Sequence, residues 1–335
     1  MAADPNALNA WESTQRDQKH ARDPELETAL RTLNDHLDKA RHLLPRPDMP
    51  QRPVVFVVGC ARGGSTLLMQ WLASTGLVAY PTNLLSRFYK DPYVGALIHR
   101  VLFDLDHRGE VFPTKPDRAE FRSELGRTRG ADAPHDFGYF WRNYFAFGER
   151  QSDLVHEPDR EKVKGLQSDV AALELVFKKP VMLKAMEMNW HLPLLRSLFP
   201  NSVFLFIQRD IIANASSLLH ARRSFYGDEH AWYSYKPAEY DTIKVEAPWE
   251  QVVSQVWYTN RAIRNSAQAL PARDLIDVHY ERFCEDPRAL HDLLADRLGM
   301  RSEYDGPMAF AASGKPVSAE LTERANRMME RLERG

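Results

Sequence analysis

The stretch VVFVVGCARGGSTLLMQWLAST, Val54 to Thr75, decides the fold. Val54 to Val58 are apolar and mostly β-branched without polar alternation, the pattern of a strand buried on both faces. A glycine-rich turn follows, and then a helical pattern. Gly59, Gly64 and Thr66 stand where a phosphate-binding loop G-x-x-x-x-G-K-[ST] carries its glycines and its hydroxyl, but Ser65 holds the place of the lysine. A strand that delivers such a turn into a helix N-terminus makes an anion site from backbone N–H groups and the helix dipole, and that part needs no lysine. In a nucleoside triphosphatase the lysine reaches the β- and γ-phosphates and the Ser/Thr holds magnesium. Here the loop's cation is Arg62, set earlier in the turn, and a guanidinium can fork onto two oxygens of a phosphate or sulfate. The loop suits a terminal anion that is transferred without a β,γ-phosphate pair.

Working outward, three more apolar runs read as buried strands: Val181 to Leu183, Val203 to Ile207 and Leu275 to Val278. Helical patterns separate them, in STLLMQWLASTG, WHLPLLRSLFPN and IIANASSLLHARRSF, so the expectation is an α/β fold with a parallel β-sheet flanked by helices on both faces. Residues 85–175 read as a helical, irregular and aromatic-rich insertion. At the N-terminus Asp23, Pro24 and Glu25 read as helix cap, first helical position and first-turn acid of a helix running to Leu44. Its residues Leu26, Leu30, Leu33, Leu37, Ala40 and Leu44 form a heptad stripe, which either packs on its own domain or makes the seam of a homodimer. PRPDMPQRP then acts as a stiff connector. The division expected is an N-terminal helical arm 1–48, an α/β domain 49–310 and a C-terminal loop and helix 311–335.

The chain has 335 residues, 44% of them hydrophobic, enough for a substantial core. Its 44 Lys and Arg against 46 Asp and Glu give no bulk basicity, so composition predicts neither nucleic-acid binding nor a polybasic membrane surface. Any anion site must come from local placement of charge. Cys60 and Cys284 offer no disulfide framework, and Cys60 lies inside the loop, which fits a reducing compartment. No apolar run reaches the length of a membrane span, and the first residues lack the basic and apolar regions of a secretion signal. The expected location is cytoplasmic.

A second strand, VFLFIQRD, ends in Arg209 and Asp210. Arg209 beside Asp210 would compete for the carboxylate of a magnesium site, so this strand end suggests a second phosphate contact, which Ser217 on the following helix could share. Two separated anion sites, one for a transferable group and one for a second phosphate, describe 3′-phosphoadenosine 5′-phosphosulfate. At this point the chain resembles the family of sulfotransferases that use that donor. The family's first motif reads P-R-S-G-T-T-L-L, against ARGGSTLL at Ala61 to Leu68. The second reads R-D-P with a serine eight positions after the arginine, against RDIIANASS at Arg209 to Ser217. FPNSVFLFIQRD and the tail VHYERFCEDPRALHDLLADRLGM extend the likeness over about residues 52–300.

The resemblance implies a P-loop NTPase-like sulfotransferase fold, the phosphosulfate donor as co-substrate and no metal. It assigns Ala61, Arg62, Gly63, Gly64, Ser65 and Thr66 to the 5′-phosphosulfate, with Arg62 stabilising charge on the bridging oxygen, and Arg209 and Ser217 to the 3′-phosphate. Ala61, Gly63 and Ile211 depart from the family's proline, serine and proline without removing a ligand.

The catalytic base is the least legible part. Relatives that sulfate protein tyrosines carry a glutamate about twenty residues after the loop arginine, where this chain has Asn83, which cannot act as a base. The replacements considered are His135 and Asp136 in PHDFGYFWRNYF, then Glu187 in LKAMEMNWH, then His191. Lys184, at a strand end, is placed to assist sulfonate oxygens or to form a surface ion pair. Tyr280 and Glu281 read chiefly as structural, Trp257 and Asn260 as core, and ASGKPVS, with Lys315, as a loop that covers the donor or is plain surface. The aromatics around His135 suggest stacking on a carbohydrate or glycolipid hydroxyl acceptor. A variant P-loop kinase or triphosphatase, and a non-catalytic nucleotide-binding relative, are the competing readings.

Overall fold

In the computed structural model, which describes residues 16–112, 121–156, 158–314 and 316–334, the four apolar runs form one parallel sheet. Its strands are β1 (Val54–Gly59), β4 (Val181–Lys184), β5 (Ser202–Gln208) and β6 (Leu275–His279), in the order β4-β1-β5-β6. A short antiparallel hairpin, β2 (Ala146–Phe147) and β3 (Leu154–His156), lies in the inserted region and has no apolar run to announce it. The chain carries α1 (Pro24–Ala40) before the sheet and α2 (Ser65–Thr75) directly after β1. Next come α3 (Pro92–His99), α4 (Gly138–Tyr144) and α5 (Arg160–Phe177), and then α6 (Leu192–Leu198) between β4 and β5. Between β5 and β6 are α7 (Ile211–Tyr226), α8 (Tyr240–Ile243) and α9 (Pro248–Ala267), and α10 (Tyr280–Glu285), α11 (Pro287–Arg297) and α12 (Ala319–Arg334) follow.

Side-chain alternation explains why β1 is apolar throughout. Val54, Phe56 and Val58 enter a core built with α4, α5 and α6, while Val55 and Val57 enter the core on the other side with α2, α10 and α11. Both faces are covered, as expected. β6 departs from the pattern: it is an edge strand, with Ile276 and Val278 buried and Asp277 and His279 exposed.

The helix starting after Asp23 forms, with the Asp23 carboxylate accepting from the amides of Glu25 at 2.9 Å and Leu26 at 3.3 Å. It ends at Ala40 and continues as a single 3-10 turn, Arg41–Leu43. It is docked by a polar residue rather than by its leucines. Asn34 is fully buried, donates to the Arg87 carbonyl at 2.8 Å and accepts from the Lys90 amide at 2.9 Å. Leu26 and Leu33 remain 40% and 39% exposed. Beyond the helix, Arg41 and Arg46 both reach the buried Asp169, at 2.8 and 3.0 Å, and Arg46 also pairs with Asp91 at 2.7 Å. Ion pairs this deeply placed fix the arm against the domain. At the other terminus α12 lies on α9 through Ala325, Met328 and Leu332, with Arg324 paired to Glu250 at 2.8 Å.

The chain leaves β1 for β4 on one side and returns to β5 on the other. The carboxyl end of β1 therefore lies at the point where strand order reverses, the crevice in which open α/β sheets bind ligands. Register sets Val57 beside Lys184 and Gly59 beside Ile207. Lys184, the Gly59 turn and Arg209 thus follow one another along a single edge.

Candidate active site

The turn after β1 is held in shape by two buried asparagines. Asn189 donates to the Gly59 carbonyl at 2.9 Å and accepts from its amide at 3.1 Å, and Asn214 donates to the Ala61 carbonyl at 2.8 Å. A Cβ on Gly59 would lie 2.5 Å from the Ile207 carbonyl oxygen, so the close strand pairing excludes any side chain there. Gly64 has φ +100°, and a Cβ on it would lie 2.2 Å from the Tyr280 ring. Gly64 precedes α2 without any side-chain cap, which leaves the first amides of an eleven-residue helix open to an anion. Arg62 has φ 64°, and its Nε donates to Ser217 Oγ at 3.3 Å.

These groups open into a cleft of about 280 Å³, lined by Ala61, Arg62, Gly64, Ser65 and Thr66 from the loop. Lys184, Asp136, Arg209 and Tyr280 also line it. Of the residues assigned from sequence to the donor, Gly63 and Ser217 do not, and of the base candidates neither His135 nor Glu187 does. Gly63 packs on the Cys60 carbonyl, and Ser217 stands behind Arg62 as its hydrogen-bond acceptor. Arg209 is buried, donates to the Ser313 carbonyl and stacks on Tyr280 with its guanidinium 4.8 Å from the ring centroid. The Tyr280 hydroxyl is 2.9 Å from Ser313 Oγ. The ASGKPVS segment thus touches Arg209 through Ser313, while Lys315 lies outside the described residues. Tyr280, expected to be mainly structural, joins the loop to Arg209. Asp210 caps α7 by accepting from the Ala213 amide at 2.8 Å, which commits the carboxylate where a triphosphatase holds magnesium.

The base candidates separate. Asp136 accepts from Lys184 Nζ at 2.8 Å; the lysine is 9% exposed and the carboxylate 56%. Trp141 fixes the Lys184 backbone by donating to its carbonyl at 2.7 Å. His135 lines a neighbouring cavity rather than the cleft. Its Nδ1 accepts from the Phe137 amide at 2.9 Å, so the neutral ring carries its proton on Nε2, and burial pushes its pKa below the ordinary imidazole value. Glu187 is buried, which raises its pKa against the opposing pull of Arg142, and it hydrogen-bonds with Tyr235. His191 bonds through Nε2 to the Gln151 carbonyl at 2.9 Å, next to β2, and is not in the cleft. Asn83 braces the 128–130 turn, donating to the Gly130 carbonyl at 2.8 Å. Cys60, buried and pushed up to about 12, is inert as a nucleophile.

The aromatic cluster after His135 is core, not a stacking surface: Phe137, Phe140, Trp141, Tyr144 and Phe145 are all buried. Trp257 packs against the core around Val253 and Val256, and with Asn260 it also lines a separate cavity of about 660 Å³ on the other side of Arg209. The cleft also contains residues that no local motif marks: Arg16, Arg127, Tyr233 and Tyr235. Arg127 comes from the inserted segment, which lies over the loop, where Thr66 Oγ1 is 3.5 Å from the Gly126 carbonyl.

The raised pKa of Glu187 carries a sign. A carboxyl whose folded value lies above its unfolded value keeps a proton that the unfolded chain has released, so stability falls as pH rises through that window. Glu187→Gln, which resembles the protonated acid, is expected to remove this contribution. Its melting temperature relative to wild type should rise as pH increases above the ordinary carboxylate range. Parallel pH dependence of the two proteins would mean that Glu187 is ionised in the fold.

A glycine turn after one strand and an arginine at the end of the next share one sheet edge, and the family model described as the sulfotransferase family matches residues 53–304. The chain belongs to that family. No curated protein sequence matches it. Among solved structures, a sulfotransferase of Mycobacterium avium superposes with a TM-score of 0.52 at 14% identity, covering 92% of this chain and 75% of that one. A sulfotransferase of Alicyclobacillus acidocaldarius gives 0.44 at 15% identity, covering 84% and 94%. At these identities the likeness is one of fold, carried by the first.

Proposed function

We propose that this sulfotransferase moves the sulfuryl group of 3′-phosphoadenosine 5′-phosphosulfate to a hydroxyl acceptor. The observation that carries the reading is the placement of two anion sites on one sheet edge: the α2 amides with Arg62, and Arg209 one strand away. The loop and Thr66 hold the 5′-phosphosulfate, and Arg209, backed by Tyr280, holds the 3′-phosphate. Lys184, one strand to the other side, faces the sulfonate oxygens.

The acceptor oxygen bonds to sulfur as the bond from sulfur to the bridging phosphate oxygen breaks. Arg62 and the first amides of α2 take up the charge that develops on that oxygen. Asp136 receives the hydroxyl proton. His135 has its Nδ1 lone pair engaged and its other nitrogen protonated, and Glu187 is buried outside the cleft lining, so neither is as well prepared for the task. For the acceptor the reading is a carbohydrate or glycolipid. With the aromatic cluster assigned to the core, it rests on Tyr139, Leu26 and Leu30, which line the cavity beside Asp136. Two reduced, buried cysteines support a cytoplasmic location.

Titration with 3′-phosphoadenosine 5′-phosphate in metal-free buffer tests the donor. At a ligand concentration a hundredfold above Kd the gain is about 2.7 kcal/mol, a rise of about 5 °C in melting temperature. Stabilisation by ATP with magnesium and none by the bisphosphate would overturn the reading in favour of a variant kinase. Binding without turnover of any hydroxyl acceptor would favour the non-catalytic relative.

A further inference from the structure

Beside the donor cleft lies a second cavity of about 560 Å³, between α1 and the segment 126–139. The two cavities share Arg16, Gly126, Arg127 and Asp136, so a molecule in the second meets the transfer point at Asp136. Its carboxylates are all engaged. Asp136 holds Lys184 at 2.8 Å, Asp23 caps α1, and Glu27 accepts from the Tyr139 hydroxyl at 2.9 Å. Arg22 pairs with Glu27 at 3.9 Å. Among the described residues, the guanidinium groups of the other three arginines of the wall, Arg16, Arg87 and Arg127, have no carboxylate partner, and Arg127 rests against the Phe225 ring at 5.5 Å.

Like charges gathered around one cavity repel one another. An oxyanion among them replaces that repulsion with charge-assisted hydrogen bonds, which guanidinium groups make in paired geometry. The field reaches the neighbouring groups: Arg87 adds to the lowering of the His135 imidazole, and Arg16 and Arg127 both act on Tyr233 in the adjoining cleft. Leu26 and Leu30 of α1 supply the apolar part of the wall, which gives these two residues of the stripe a role other than a coiled-coil seam.

We infer that this cavity takes the acceptor, and that the acceptor carries an oxyanion, either a carboxylate or a phosphate or sulfate ester, in addition to the hydroxyl that is sulfated. The inference rests on the donor reading above, and its test keeps the two apart. The full chain is first titrated with 3′-phosphoadenosine 5′-phosphate, which bears on the donor alone. With that nucleotide saturating, binding of octyl β-glucuronide, octyl β-glucoside 6-phosphate and neutral octyl β-glucoside is measured by calorimetry. At least one anionic sugar is expected to bind about tenfold or more tighter than the neutral one, and the tighter of the two identifies the anion. Arg87 lines only the second cavity and holds α1 through its backbone carbonyl, so Arg87→Ala should fold, keep its nucleotide affinity and lose the preference. Equal affinity for all three sugars, no binding of either anionic sugar, or a preference that survives Arg87→Ala with Arg127→Ala would overturn the inference, while nucleotide binding would leave the donor reading intact.

Discussion

Arg62→Ala is expected to lower kcat by about a hundredfold to a thousandfold, the loss seen when one donor to a developing oxyanion is removed. Arg62 is the side-chain cation of the loop, since Ser65 stands at the lysine position. No neighbouring loop residue can supply a second charge. The backbone amides of α2 remain in the variant, so nucleotide binding should weaken less than turnover, and the ratio of the two effects is the informative quantity. Arg62→Lys separates charge from geometry: it restores a cation but not the fork, and should recover only part of the rate. The expected signature is a fall in kcat under saturating donor, with the melting temperature close to wild type, because among the described residues the Arg62 side chain makes a single hydrogen bond, to Ser217 on α7. Turnover within about threefold of wild type in Arg62→Ala would remove the loop from the chemistry.

What was legible in the sequence was local. The β1 run, the glycine turn, Lys184 and Arg209 each sit in a short stretch whose residue types determine backbone and chemistry together, and the structure places all of them on the edge where they were expected. The braces were harder to read. Asn189 lies five residues after Lys184, and the 3-10 turn Met186–Met188 between them sets its amide against Gly59. Long-range partners left no local signal at all. Arg16, Arg127, Tyr233 and Tyr235 meet in the cleft because the residues ahead of α1, the inserted segment and the stretch after α7 converge there. The aromatics after His135 misled for a physical reason: a dense run of rings packs a core as well as it lines a binding wall, and composition does not distinguish the two. Here most of the rings pack against Val54, Phe56 and Val58, and only Tyr139 and the polar residues that precede the run reach a cavity.

The contrast between those two polar neighbours gives the second large effect. Asp136→Asn is expected to reduce kcat by about a hundredfold to ten-thousandfold, the range of general-base catalysis. His135→Ala should stay within about fivefold of wild type. The amide keeps the shape of Asp136 and can still accept a hydrogen bond from Lys184, but it cannot take a proton. Lys184 then loses its counter-charge while 9% exposed, so a modest loss of stability accompanies the change and must be measured separately from turnover. Affinity for 3′-phosphoadenosine 5′-phosphate should hold or rise, because the substitution removes a negative charge from the cleft wall. The pH profile distinguishes a base from a residue that only positions Lys184. If Asp136 accepts the proton, the acid-side fall of kcat/KM in wild type disappears in Asp136→Asn and persists in His135→Ala. If Asp136 only holds Lys184, Asp136→Asn keeps the acid-side fall at a reduced rate, and the proton must leave through another group. Loss of the acid limb in His135→Ala instead would transfer the role to the imidazole, and would require its Nδ1 to release the Phe137 amide during turnover.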